Sequence, residues 1–236
     1  MTPVANPTLV TGSRSTHSTI ALKMLMAVSG LIFIGYLLAH MYGNTKVFAG
    51  HDAFNDYAHH LRTIGEPMLP HEGLLWVIRV VLILAVVAHV GAAVALTRRA
   101  QKARTTKYVV KKNKGSSLAS RTMRWGGVAL FLFIIWHLIN FTVGKVNPTG
   151  GATNDPYNLV VDNFETWWIT LIYLAALFAL AMHLLHGVWS ACQTLGFTNS
   201  ARSRARAKDA GLLVAIVIAG GFALVPLSVL FGIVEK

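Results

Sequence analysis

The chain has 236 residues, 54% of them hydrophobic and 13% charged, whereas about a quarter of the residues of a soluble domain are charged. Its net charge is +12, but the basic residues separate apolar blocks of about 20 residues, the length that crosses a bilayer core of about 30 Å. That arrangement argues for a membrane protein and against a nucleic-acid-binding one. The one cysteine, Cys192, excludes an internal disulfide and any cluster held by this chain's thiolates alone.

The first twenty residues are polar and lack the apolar core of a cleavable signal. They contain Arg14, His17 and Ser18 and read as a partly ordered arm. Span one is predicted over residues 24–43, with His40 near its far end. Residues 44–71 form a polar loop with His51, His59, His60 and His71; a connection this long predicts a short helix, over Asp52–Ile64. Span two covers residues 72–97, with Arg79 in its first part and His89 beyond the middle. Residues 98–124 carry ten Lys/Arg and no acid. Span three follows over 125–144, with His137, and then a Gly/Pro/Asn turn region with Asp155, Asp162 and Glu165. Span four covers 167–189, opened by the aromatic pair Trp167 and Trp168 at one interface. A second basic loop holds Arg202, Arg204, Arg206 and Lys208, and span five covers 211–233, where Pro226 predicts a kink.

The fold class expected is all-α, a single five-helix membrane domain over residues 1–236. Sixteen of the 21 Lys and Arg fall in the N-terminal arm with Lys23 and in the two basic loops. The positive-inside rule then puts the N-terminus in the cytoplasm and the C-terminus outside. No Asp or Glu falls inside the central spans and no inverted repeat is evident, which argues against a transporter.

A histidine inside a span is costly unless ligated or hydrogen-bonded, so it marks function by default. Spans one to four each carry one, at His40, His89, His137 and His183. Depth sorts them, at a rise of about 1.5 Å per residue, into an outer pair, His40 with His137, and an inner pair, His89 with His183. Two imidazoles on facing helices at one depth are what a bis-histidine haem needs, because the iron takes axial ligands from both sides of a flat ring. Ser29 and Gly126 each lie eleven residues before their histidine, on nearly the same helix face, and their small size leaves room at the inner level, although small residues also serve ordinary helix packing. His186, three residues after His183, reads as a non-ligand that is solvated or contacts a propionate or a partner.

Four stretches resemble one family. HLLHGVWSACQTLG (His183–Gly196) is similar to the fourth-helix motif of five-helix cytochrome b subunits of succinate dehydrogenases and fumarate reductases. FIGYLLAHMYGN (Phe33–Asn44), AVVAHVG (Ala85–Gly91) and FLFIIWHLINF (Phe131–Phe141) resemble its first, second and third helices. The resemblance implies an anchor in a bacterial plasma membrane that docks a flavoprotein subunit and an iron–sulfur subunit on its cytoplasmic face. It implies electron flow from succinate to a membrane quinone, menaquinone, with no succinate-oxidising site in this chain. Carried over, His89 and His183 would hold a proximal haem b, and His40 and His137 a distal one.

The alternatives are another di-haem membrane cytochrome and a haem-free structural anchor. For the cofactor, the second reading is a non-haem [2Fe–2S] centre, which would need ligands besides Cys192, such as a carboxylate or a further histidine. A quinone needs an apolar slot with donors at its carbonyls. The candidates are His17, Ser18 and Lys23 near the cytoplasmic face, and His59, His60, Glu66 and Arg79 near the outer face. Arg79 stands out because an unpaired charge inside a span is costly, which suggests pairing with a propionate or a quinone pocket.

Overall fold

The computed structural model describes residues 18–103, 117–143 and 153–236; the predicted arm, most of the first basic loop and part of the turn region lie outside these. Five helices are long and apolar enough to cross a membrane. Helix α1 (Thr19–Thr45) ends in a 3-10 turn, Lys46–Ala49, and the short α2 (His51–Thr63) follows. Then come α3 (Gly73–Lys102), and α4 (Leu118–His137) with a π turn, Leu138–Thr142. Helix α5 (Pro156–Glu165) precedes α6 (Trp167–Thr194); α7 (Ala201–Ala215), a π turn (Ile216–Gly220) and α8 (Gly221–Leu230) make the last span.

Local chemistry sets the ends. Ser18 caps α1, its Oγ accepting the Ala21 N–H at 3.0 Å, and Ser117 does the same for α4 at Ser120. Ser200 and Ser203 form a reciprocal capping box, so α7 begins ten residues earlier than the predicted fifth span. Arg202, Arg204, Arg206 and Lys208 are therefore helical rather than looped. A helix does not end where its apolar stretch ends; it ends where a cap satisfies its free N–H groups. Helix α8 runs through Pro226 to Leu230, and the π turn Ile216–Gly220 ends six residues before the proline.

The predicted turn region hides α5. Asp155 caps it by accepting the Asn158 N–H at 3.0 Å, Pro156 opens it, and Tyr157, Leu159, Val160, Val161 and Phe164 are buried. It lies across one end of the bundle, against α2, α6 and α8, and its Tyr157 Oη donates to the Glu235 carbonyl at 2.7 Å. The Lys236 ammonium pairs with the Asp162 carboxylate. Helices α2 and α5 thus cap one end, while Arg98, Arg99, Lys102, Arg121 and Arg124 gather at the other, the basic end.

Helix α6 is the hub, packed on α1, α4 and α7. Close approach of one span to another depends on glycine at Gly211 and Gly221. A Cβ at Gly211 would sit 2.9 Å from the Leu185 carbonyl, and one at Gly221 would overlap the Met41 sulfur. Lipid is the solvent for the outward faces, where Leu84 is 63% and Phe178 67% exposed. With no hydrophobic drive between helices in lipid, such small-residue contacts and buried polar groups hold the spans together.

Candidate redox site

Four spans bring their histidines together in pairs at two depths. His89 on α3 and His183 on α6 have ring centres 6.1 Å apart; His40 on α1 and His137 on α4 have theirs 5.8 Å apart. A metal–nitrogen bond of about 2 Å to each of two facing imidazoles puts their ring centres about 6 Å apart. Both spacings therefore fit one metal ion between the rings, and two imidazoles are the number haem iron takes axially. Cys192 lies nine residues beyond His183 on the same helix, about 14 Å along its axis, and reaches neither pair.

The inner pair sits among small residues. The Ser29 hydroxyl, 3% exposed, lies 3.0 Å from His89 Nδ1 and 2.8 Å from the Leu25 carbonyl. With the hydroxyl hydrogen on that carbonyl, Ser29 is an acceptor for an N–H at His89 Nδ1, the tautomer that leaves Nε2 with its lone pair free. Phe33 stands edge-on to His89 at 5.8 Å. A Cβ added at Gly30 would meet His89 Cε1 at 3.6 Å, and one at Gly127 would meet His183 Cε1 at 3.7 Å. Gly127, not Gly126, is thus the residue against the ring. Gly126 opens a groove between α4 and α6, an apolar cavity of about 130 Å³ that Thr122, Phe178, Met182 and His183 also line. His183 Nδ1 is buried with no hydrogen-bond partner.

The outer pair sits among rings. Tyr36 stacks on His40 at 5.3 Å, Phe222 of α8 is 5.5 Å away, and Phe133 stacks on His137 at 5.8 Å. His137 Nδ1 is 3.3 Å from the Tyr173 hydroxyl.

The other sequence candidates do not converge. His17 lies outside the described residues. Ser18 is spent on its cap, and Lys23 is exposed on α1. His59 lines an open cavity of about 740 Å³ with Asn55, Arg62 and Asp155, His60 is exposed, and Glu66 accepts from His71 Nδ1 at 3.1 Å. His186 packs beside Trp189, ring centres 6.1 Å apart, in neither pair. Arg79 has a protein partner after all: its guanidinium lies 3.3 Å from the Glu72 carboxylate and over the Trp76 ring at 4.8 Å. Glu72 also takes Arg62 Nε at 3.3 Å. The unpaired charge that suggested a propionate or quinone partner is absent.

Tyr173, Asn140 and Asn163, buried near His137, had no signal in the sequence beyond being polar residues at apolar positions. Gly30 and Gly127 did: each lies ten residues before its span's histidine, a spacing shared by α1 and α4.

At the capped end, away from the bundle, His51 bridges two carboxylates, with Nδ1 2.9 Å from Asp52 and Nε2 2.7 Å from Asp155. Hydrogen bonds to Asp52 and then Asp155 raise the His51 pKa above 6.5. For Asp155, burial pushes the carboxyl up, but the Asn158 N–H, Asn55 and His51 outweigh it and bring it down to about 2.

Compared with known proteins, residues 97–231 match the model of the succinate dehydrogenase/fumarate reductase transmembrane subunit family. Neither the curated proteins nor the solved structures gave a match. The matched stretch contains His137 and His183; His40 and His89 precede it, and the fold pairs each with a histidine inside it.

Proposed function

The chain belongs to the succinate dehydrogenase/fumarate reductase transmembrane subunit family, and from that premise we propose that it relays electrons between an iron–sulfur subunit and a membrane quinone. The relay uses two centres, held by His89–His183 and by His40–His137. Membership makes the protein a multi-pass membrane anchor within an oxidoreductase complex, associated with that complex's other subunits. The flavoprotein and iron–sulfur subunits dock at the basic end, which faces the cytoplasm under the positive-inside rule.

The observation that carries this reading is the two imidazole pairs, drawn from four separate spans and each spaced for one metal ion. The pairs divide the membrane: Ser29, at the inner level, and His40, at the outer, are eleven residues apart on α1, about 16 Å of a core of about 30 Å. The residues fit haem b, which when bound supplies a one-electron couple at each level. The chain's own part would be to present one imidazole nitrogen from each side of each site. Ser29 holds His89 in the required tautomer. The surrounding apolar spans keep water from the centres and so limit the reorganisation that charge transfer demands.

For the quinone, a carbonyl needs a donor at the end of an apolar slot. His183 Nδ1, buried without a protein partner beside the groove at Gly126, meets that description inside the membrane. Menaquinone is the quinone we assign.

The test is a dithionite-reduced minus oxidised spectrum of the purified complex, with haem and iron assayed on the same sample. A b-type α-band with two haems, one lost in His89→Ala and the other in His137→Ala, is the expected result. Iron beyond the partner's clusters without haem would keep the relay and replace the cofactor with a non-haem centre. Normal quinone-linked activity in assembled His89→Ala and His137→Ala complexes would leave a structural anchor.

A further inference from the structure

A chain of buried polar groups runs from His137 to the capping helix α5, and the relay itself does not account for it. His137 Nδ1 lies 3.3 Å from Tyr173 Oη. Tyr173 Oη donates to Asn140 Oδ1 at 3.0 Å, Asn140 Nδ2 donates to Asn163 Oδ1 at 2.7 Å, and Asn163 Nδ2 donates to the Leu159 carbonyl at 2.8 Å. Asn140 and Asn163 are 0% exposed and Tyr173 is 7% exposed. Asn140 sits in the π turn Leu138–Thr142, a local irregularity often found at functional sites.

The chain has a direction, and its far end sets it. A backbone carbonyl can only accept, so Asn163 must present its amide nitrogen to Leu159 and its oxygen to Asn140. Asn140 then donates through Nδ2 and accepts from Tyr173 through Oδ1. The phenol has one hydrogen, and it is used there. Tyr173 Oη therefore meets His137 with a lone pair, and His137 Nδ1 must carry the proton. Side-chain amide orientation is ordinarily ambiguous; here the Leu159 carbonyl resolves it.

We propose that Tyr173 is a positioning residue for the outer centre, holding His137 in the Nδ1–H tautomer with its Nε2 lone pair turned toward His40. The chain orients; it does not conduct. Two of its links are amides, which do not take up and release protons near neutral pH, and it ends on a backbone carbonyl rather than at a titrating group. A hydrogen bond accepted from the distal nitrogen of a ligating imidazole makes the ring a stronger donor. Tyr173 accordingly favours the oxidised state of whatever metal His137 holds. The inner centre draws the same effect from Ser29 at His89, by a single hydroxyl.

The inference rests on His137 being a ligand. Its test is a redox titration of both centres in the complex carrying Tyr173→Phe, which keeps the ring that packs on Phe133 and Phe164. The expected result is a rise of about 59 mV in the outer centre's potential, equivalent to a tenfold change for a one-electron couple, with the inner potential unmoved. Metal retention at the outer centre falls roughly 10–100-fold, as for other outer-shell partners. Asn140→Ala, which frees the phenolic hydrogen to turn toward His137, moves the potential the same way. Equal shifts at both centres, or none, in an assembled complex would overturn the assignment and leave the relay standing. So would failure of both variants to assemble when Phe133→Leu assembles, since the chain would then serve folding alone. An unaltered complex with no centre at His40 and His137 would overturn both readings.

Discussion

Around His40 and His137 the neighbours are rings, with Tyr36, Phe133 and Phe222 within 6 Å of one imidazole or the other and a polar chain behind His137. Around His89 and His183 they are small: Ser29, Gly30 and Gly127. The outer pair lies beneath the cap formed by α2 and α5, while the inner pair borders a groove that opens between α4 and α6. The same pair of imidazoles is thus placed in unlike surroundings. In a metalloprotein the surroundings tune potential and access more than the ligands do. On the proposed function this difference reads as a division of labour, with the outer pair set by its rings and polar chain and the inner pair beside a groove that could admit a molecule from the bilayer.

The largest effects should come from the four paired histidines. His183→Ala is expected to abolish the inner centre and spare the outer, and His40→Ala the reverse, read as loss of one spectral component in each; joint loss from either variant would dissolve the distinction between the ends. Next in size is Ser29→Ala, which removes the acceptor from His89 Nδ1 and is expected to lower metal retention at the inner centre by about 10–100-fold, measured by metal content after dialysis against a chelator. Gly126→Leu sharpens the comparison from the side of access. Nothing lies within 4 Å of a Cβ there, so the helices stay packed while the groove fills. Quinone KM is expected to rise at least about tenfold, equivalent to 1.4 kcal/mol of lost binding, with the spectrum unchanged; an unchanged KM would place the quinone elsewhere.

Smaller effects belong to the cap. Glu72 takes both Arg62 and Arg79, and its backbone holds a left-handed φ of 59°. Glu72→Gln should cost about 1 kcal/mol, since the pairs are partly solvated, seen as a fall in Tm of a few degrees. The His51 bridge gives the smallest signal and a pH window. His51 has a pKa raised above 6.5, so its contribution is whole below pH 6.5 and is lost as pH rises through the raised value. Asp155 is depressed from 3.8 to about 2, so its contribution is whole above pH 3.8 and is lost as pH falls toward 2. The bridge between α2 and α5 should therefore be tightest between about pH 4 and 6.5 and loosen above it. Limited proteolysis at pH 5.5 and 8.5 reads this, and Asp155→Asn, which keeps the helix cap, should flatten the difference.

Much of this molecule was legible without coordinates because lipid is an unforgiving solvent. A span must be apolar for about 20 residues and must bond its own backbone, so five blocks of hydropathy predict five helices, and a histidine in each of four of them has to be answered by a partner. Helix rise alone sorts those histidines by depth. The limits of the helices were not legible, because hydropathy changes at the membrane edge while the helices run on until Ser18, Ser117 and Ser200 cap them. Helix α5 was missed although Asp155 and Pro156 form a recognisable start, because the Gly and Asn residues around it read as a turn.

What the sequence determined, then, was a set of one-dimensional quantities: span length, histidine depth and the lopsided distribution of basic charge. Only the tertiary structure decided rotation and neighbour choice. Which face of α6 carries Tyr173 to His137, which glycine of the Gly126–Gly127 pair meets His183, and that Glu72 meets Arg79 all depend on how helices turn about their axes. In lipid, apolar faces are nearly equivalent on every side of a helix, so rotation is settled by a few small residues and buried hydrogen bonds contributed by other spans.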